Sequence, residues 1–261
     1  MEIIDFHTHT DYDYHLADHG VVMDSGRFRD DLLACGITRA CGSVIYTGMT
    51  GLPVEQYETL VPKLNDRAVE IAEELGGFYI PGIHVHPQFL QMSLGEIERA
   101  HRCGIRLIGE LVPGMMSHKN GYFCENFMEM MHLAAEFDMV VSLHPYGMKD
   151  MYALSRALRD SLPRLKVVWA HLNGSGELVK QLELMEDCPN LYYDTSAHGC
   201  DMDGTLRYAI DRVGHERILF GTDYPGVQPA CDVAGILAEP LTDAEREAIL
   251  AGNAKRLLGL E

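Results

Sequence analysis

Two hydrophobic periods alternate along the whole chain, and that alternation leaves few folds open. Short apolar runs of strand type cover residues 3–9, 39–44, 78–84, 106–110, 139–144, 166–171, 191–194 and 217–222. Segments of helical spacing at 28–35, 56–75, 94–103, 126–137, 149–162, 177–187, 203–213 and 243–257 lie between and after them. Gly36, Gly76 and Gly104 stand just past three of these helices, where a left-handed residue closes the last turn. Ser93 with Glu96, and Thr242 with Glu245, have the spacing of a capping box. Strands that alternate with helices pair in parallel through right-handed crossovers. Eight such units in 261 residues predict one α/β domain over residues 1–261, a (β/α)8 TIM barrel. An open doubly wound sheet is the alternative. Against it, the first strand runs into HTHTDYDYH and not into a glycine-rich phosphate turn.

The strand ends carry the chemistry. His7 and His9 are two residues apart on the first run, so their rings point to one side and can reach one ion. Later runs end in Glu110, His144, His171 and Asp223. In a parallel barrel these termini converge on one mouth, and the longest irregular stretches (11–27, 45–55, 112–124 and 224–241) all follow strands and fall at that same face. The spacing therefore points to a metal centre. Asp5, two residues before His7, reads equally as a group that orients a ligand ring or as packing at the start of the barrel. His118, Tyr146 and His198 sit in post-strand loops, where they are expected to meet substrate. A second H-x-H, His84 and His86, reads equally as pocket wall or as structure. The segment 173–177, NGSGE, hints weakly at an anion nest, the methionines at 128 and 130–131 at a core-facing helix, and Trp169 at an inward barrel layer.

Composition narrows the partners to a small molecule. A formal net charge of −18 argues against binding nucleic acid through its phosphates. The seven cysteines are scattered without a C-x-x-C pair, which fits reduced thiols and a cytoplasmic protein. The N-terminus lacks a basic region followed by an apolar one, and no stretch approaches the roughly 20 apolar residues of a bilayer span, so no membrane partner is expected. Nothing in the sequence opposes a homo-oligomer.

The ordered set of H-x-H, Glu110, His144, His171 and Asp223 resembles the amidohydrolase superfamily of metal-dependent hydrolases. The opening IIDFHTHT and the closing RILFGTDYP with ILAGNAKRLLGL are similar to its amidohydrolase-related branch, amidohydrolase 2. That resemblance implies one or two divalent ions, zinc above others. His7 and His9 would hold the more buried ion, His144 and His171 the more exposed one, and Asp223 would be both ligand and proton shuttle. Glu110 stands where many relatives carry a carboxylated lysine and would bridge two ions, as in TatD-type phosphodiesterases. The expected activity is hydrolysis of an ester, lactone or amide bond in a small polar substrate by a metal-activated water. The alternative within the branch is non-oxidative decarboxylation of a small aromatic or unsaturated acid, followed by a TatD-like phosphodiesterase, which the acidic balance disfavours.

Overall fold

The computed structural model describes residues 1–12, 23–118, 124–144, 147–173 and 176–261. Eight parallel strands follow one another in the sheet in chain order: β1 (Ile4–Thr10), β2 (Arg39–Val44), β3 (Tyr79–Ile83), β4 (Leu107–Leu111), β5 (Val140–Leu143), β6 (Lys166–Trp169), β7 (Leu191–Asp194) and β8 (Ile218–Leu219). Between them run α1 (Ser25–Ala34), α2 (Tyr57–Glu74), α3 (Leu90–Arg102), α4 (Glu125–Glu136), α5 (Met148–Asp160), α6 (Leu178–Asp187) and α7 (Thr205–Val213). This is the (β/α)8 barrel that the alternation predicts. β8 has only two ladder residues, and the seam back to β1 is closed by the chain beyond it. There Phe6 N donates to Phe220 O (2.9 Å), Asp223 N to His7 O (2.8 Å) and His9 N to Tyr224 O (2.8 Å).

Two packed layers hold the barrel. A smaller cluster takes Ile4, Phe6, Cys41, Leu107, Val140, Val168, Tyr192 and Leu219 from the strands and fills the interior, with Ala254, Leu257 and Leu258 packed against it. These last residues belong to α10 (Asn253–Leu258), which follows α9 (Asp243–Glu247) and a π turn at Ala248–Gly252. The larger cluster lies between the outer sheet face and the helices, uniting Val141, Val167 and Tyr193 with Phe28, Leu64, Ile97 and Met130. Trp169 belongs to this outer layer, contrary to its expected inward placement, because its neighbour Val168 takes the inward side.

Several local expectations change. The stretch 224–241, read as irregular, contains α8 (Pro229–Ala238). Its sequence PACDVAGILA is apolar nearly all round and carries no helical stripe to betray it. Ser93 lies inside α3, not at its start, and its hydroxyl bonds His86 N and O at 2.8 and 3.0 Å, while Glu96 accepts from Asn65 and Arg99. The capping box at Thr242 and Glu245 forms as its spacing requires. Among the described residues, no helix is long and apolar enough to cross a membrane.

Candidate metal centre

β1 brings His7 and His9 to the barrel mouth, and the pairing of β1 with β2 shifts register between Asp5 and Thr8. That shift takes Asp5 out of the ligand face. Its carboxylate instead accepts from His7 N (3.1 Å), Thr222 N (3.0 Å) and Thr222 Oγ1 (2.6 Å), so it ties β1 to the segment after β8 and orients no ring.

Four donor atoms from three parts of the chain then converge. The two Nε2 atoms of His7 and His9 are 3.2 Å apart. Glu110 Oε2, from β4, lies 3.3 Å from His7 Nε2 and 3.2 Å from His9 Nε2. Asp223 Oδ1 lies 3.5 and 3.3 Å from the same two nitrogens. A zinc ion at about 2.0–2.1 Å from tetrahedral donors sets those donors about 3.3–3.4 Å apart. The donor edges thus have the size a divalent ion demands, and the chemistry of imidazole with carboxylate suits one. Glu110 turns its other oxygen, Oε1, towards His171 Nε2 at 3.7 Å, and no other hydrogen-bond partner for Oε1 is present among the described residues. His7, Glu110 and His171 make a second potential ligand group. The His144 ring stands 5.0 Å from that of His171, on the open side. All six residues named from the sequence as ligands are therefore brought to one mouth, with His144 at its edge.

Two buried residues that the sequence analysis assigned no role complete the centre. Asp194, at the end of β7, accepts from His7 Nδ1 at 2.9 Å. Ser196 Oγ lies 3.1 Å from His7 Nδ1 and 2.9 Å from His171 Nδ1, and it also donates to Asp194 Oδ1. The signal was present in LYYD, a strand ending in a carboxylate like the others.

The electrostatics call for positive charge at this point. Burial opposes ionisation of His7 and His9, yet Glu110 with Asp194 holds His7 well above 6.5, and hydrogen bonds to Asp223 and Glu110 raise His9 to about 9. Burial likewise opposes the charge on Glu110, but the His7 charge and its hydrogen bonds keep the carboxyl well below its ordinary range. In the metal-free chain, protons on the imidazoles supply the cation.

The second H-x-H is structural. His84 Nε2 lies 2.9 Å from Val44 O and is pushed down to about 4 by burial, and His86 Nε2 lies 2.9 Å from Met116 O while its ring stacks on Tyr57. His118 packs edge-on against His86, 4.4 Å between centroids, and lines neither of the cavities at the mouth. One of these, about 350 Å³, runs over Met148, Met151, Glu177 and Gln181. The other, about 290 Å³, runs over Tyr12, Ile45, Val112, Met115 and Val227. His144, His171, Ala197, His198 and Asp223 line both. His198 is therefore where a substrate-contacting residue should be, and its Nδ1 lies 2.8 Å from Asp201 Oδ2. Tyr146, and Gly174 with Ser175 of the NGSGE segment, lie outside the described residues.

Against known proteins, the family model described as amidohydrolase matches residues 4–260. The chain belongs to the amidohydrolase family. That is a family of enzymes, and the match spans both the opening and the closing segments of the chain. No curated protein matches its sequence. Solved structures similar to this chain include 2,6-dihydroxybenzoate decarboxylase from Rhizobium, at 16% identity and a TM-score of 0.80 over 99% of each chain. A second is 5-carboxyvanillate decarboxylase from Sphingomonas paucimobilis, at 17% identity and 0.78 over 100% of this chain and 99% of that one. A third is dihydroxybenzoic acid decarboxylase from Polaromonas sp. JS666 with bound manganese and 2-nitroresorcinol, at 17% identity and 0.78 over 99% and 97%. At such identities the likeness is one of fold.

Proposed function

We propose that this member of the amidohydrolase family is a metal-dependent, non-oxidative decarboxylase of a small hydroxylated aromatic acid. The observation that carries the reading is the pair of cavities meeting at Asp223 over the donor cluster, one walled by Val112, Met115 and Ile45, the other by Met148 and Met151. Apolar walls receive a ring, and the cluster receives its polar end. The similar solved decarboxylases support the same choice over hydrolysis. His7, His9, Glu110 and Asp223 would hold a divalent ion, with His171 and His144 beside it; both manganese and zinc accept imidazole and carboxylate donors. The ion supplies positive charge for an anionic substrate and for oxyanion character that develops during the reaction.

The residues do the rest. The bond from ring carbon to carboxylate carbon breaks, its electron pair stays on the ring carbon, carbon dioxide leaves, and a proton takes the vacated position. Asp223 lines both cavities and, ionised at rest, is placed to relay to that carbon a proton it first takes up from solvent. His198, held by Asp201, is placed to return one from solvent. The apolar walls keep bulk water off the ring. The test is incubation of manganese- or zinc-loaded protein with 2,6-dihydroxybenzoate and related hydroxybenzoates, following carbon dioxide release and the decarboxylated phenol. Release that requires the metal supports the reading, and its absence across the series, with turnover of lactones, esters or amides instead, overturns it.

Hydrolysis is the second reading, and one observation favours it. Burial works against charge on Asp223, but the His9 hydrogen bond and the His7 charge hold its carboxyl below its usual range, which suits a group that takes a proton from water.

A further inference from the structure

Asp194 ends β7 and Ser196 lies two residues on, in the turn that follows, and both are fully buried. Asp194 divides its oxygens between two tasks. Oδ2 accepts from His7 Nδ1 at 2.9 Å, while Oδ1 accepts from His171 N at 3.2 Å, from Ser196 N at 3.1 Å and from the Ser196 hydroxyl. The hydroxyl has one hydrogen, and it is spent on that carboxylate. Towards the ring nitrogens Ser196 Oγ can then only accept. His171 Nδ1, 2.9 Å away, must carry the hydrogen of that contact, and His7 Nδ1 shares its hydrogen between Asp194 and Ser196 Oγ. Both rings are left with Nε2 facing Glu110, at 3.3 Å for His7 and 3.7 Å for His171.

We infer that Asp194 and Ser196 form one shared cradle that fixes the Nδ1–H tautomer of His7 and His171 together and so aims two Nε2 donors at the metal. They are positioning residues, not ligands. The inference rests on the metal centre and does not depend on which reaction the protein performs. Outer partners of metal-bound histidines are typically worth about 10- to 100-fold in affinity. A shared cradle has a further signature, since two residues acting through one network do not add.

The experiment measures manganese and zinc dissociation constants by chelator competition, together with the unfolding temperature of the metal-free protein. It compares the wild type with Asp194→Asn, Ser196→Ala, the double variant and Ser155→Ala. Ser155 is an equally small buried hydroxyl that donates to Tyr152 O on α5, so its loss reports a generic packing defect. Expected is weakening of about 10- to 100-fold in Asp194→Asn and about 10-fold in Ser196→Ala. The double variant should lose no more than the larger single loss, and Ser155→Ala should bind as the wild type. Wild-type affinity in both single variants, equal loss in Ser155→Ala, or a double variant whose loss is the product of the two singles would each overturn the cradle. A wild-type chain that holds neither ion would overturn the metal centre itself. Because no substrate enters the assay, none of these outcomes is confused with a wrong reaction.

Discussion

Metal and protons compete for the same nitrogens, and the competition can be put in numbers. His9 in the metal-free chain is held at about 9. At pH 7 only about one ring in a hundred is then neutral and ready to bind, and each unit of pH raises that fraction about tenfold until the pKa is reached. Between pH 7 and 8.5 the apparent affinity for zinc or manganese should therefore rise about 25-fold from His9 alone. His7, also held well above 6.5, steepens the slope. If both rings kept the ordinary histidine value of about 6.5, the same interval would change the affinity by only about 1.7-fold. Chelator competition at pH 7.0, 7.5, 8.0 and 8.5, with the chelator's own protonation corrected, reads the slope. Calorimetry in buffers of different ionisation enthalpy counts the protons released. An affinity that stays flat across this window would refute the view that the cluster is built for a cation and borrows protons in its absence. The sign for folding is opposite. A raised His9 pKa means the folded metal-free chain binds more protons than the unfolded one from about pH 6.5 to about 9, so its stability falls as pH rises through that window.

Other outcomes follow from single contacts. Asp223→Asn keeps an oxygen near His7 and His9 but cannot carry the proton, so metal should be retained in part while kcat falls about 10²- to 10⁴-fold, measured on whichever acid proves to be the substrate. Glu110→Gln removes the charge between the His7–His9 pair and His171, so elemental analysis after zinc loading should fall from towards two ions per chain to one if the carboxylate bridges, and stay unchanged at one if it does not. Gly82→Ala would place a Cβ 2.3 Å from Gly109 O, a backbone atom of β4, and should cost about 1–3 kcal/mol in thermal unfolding. Gly95→Ala, in α3 with open space at its Cβ, should leave stability unchanged or improve it.

The fold was legible because parallel strands buried on both faces, separated by amphipathic helices, leave a periodic trace. α8 left none: PACDVAGILA has no polar face, and nothing in its composition separates a buried helix from an apolar loop. The ligands were legible because strand ends in a barrel share a place. Of the two readings of Asp5 the structural one holds, since a register shift inside β1 breaks the alternation that would have put its carboxylate beside the ligand rings. Asp194 and Ser196 were missed because their partners are 187 and 189 positions away in sequence for His7, and a carboxylate at a strand end looks the same whether it meets an ion or a ring nitrogen.

The seam between β8 and β1 ties assembly of the centre to the order of folding. An open sheet running from β1 to β7 already holds His7, His9, Glu110 and His171, but Asp223 arrives only when its own N–H meets His7 O across the closing edge. Thr222 is drawn against Asp5 in the same movement. The last strand to be synthesised thus brings both the latch of the barrel and the final donor. An ion that binds the full donor set selects closed barrels over open ones, and metal added during refolding should raise the yield of the closed form rather than hasten the earlier pairing of strands.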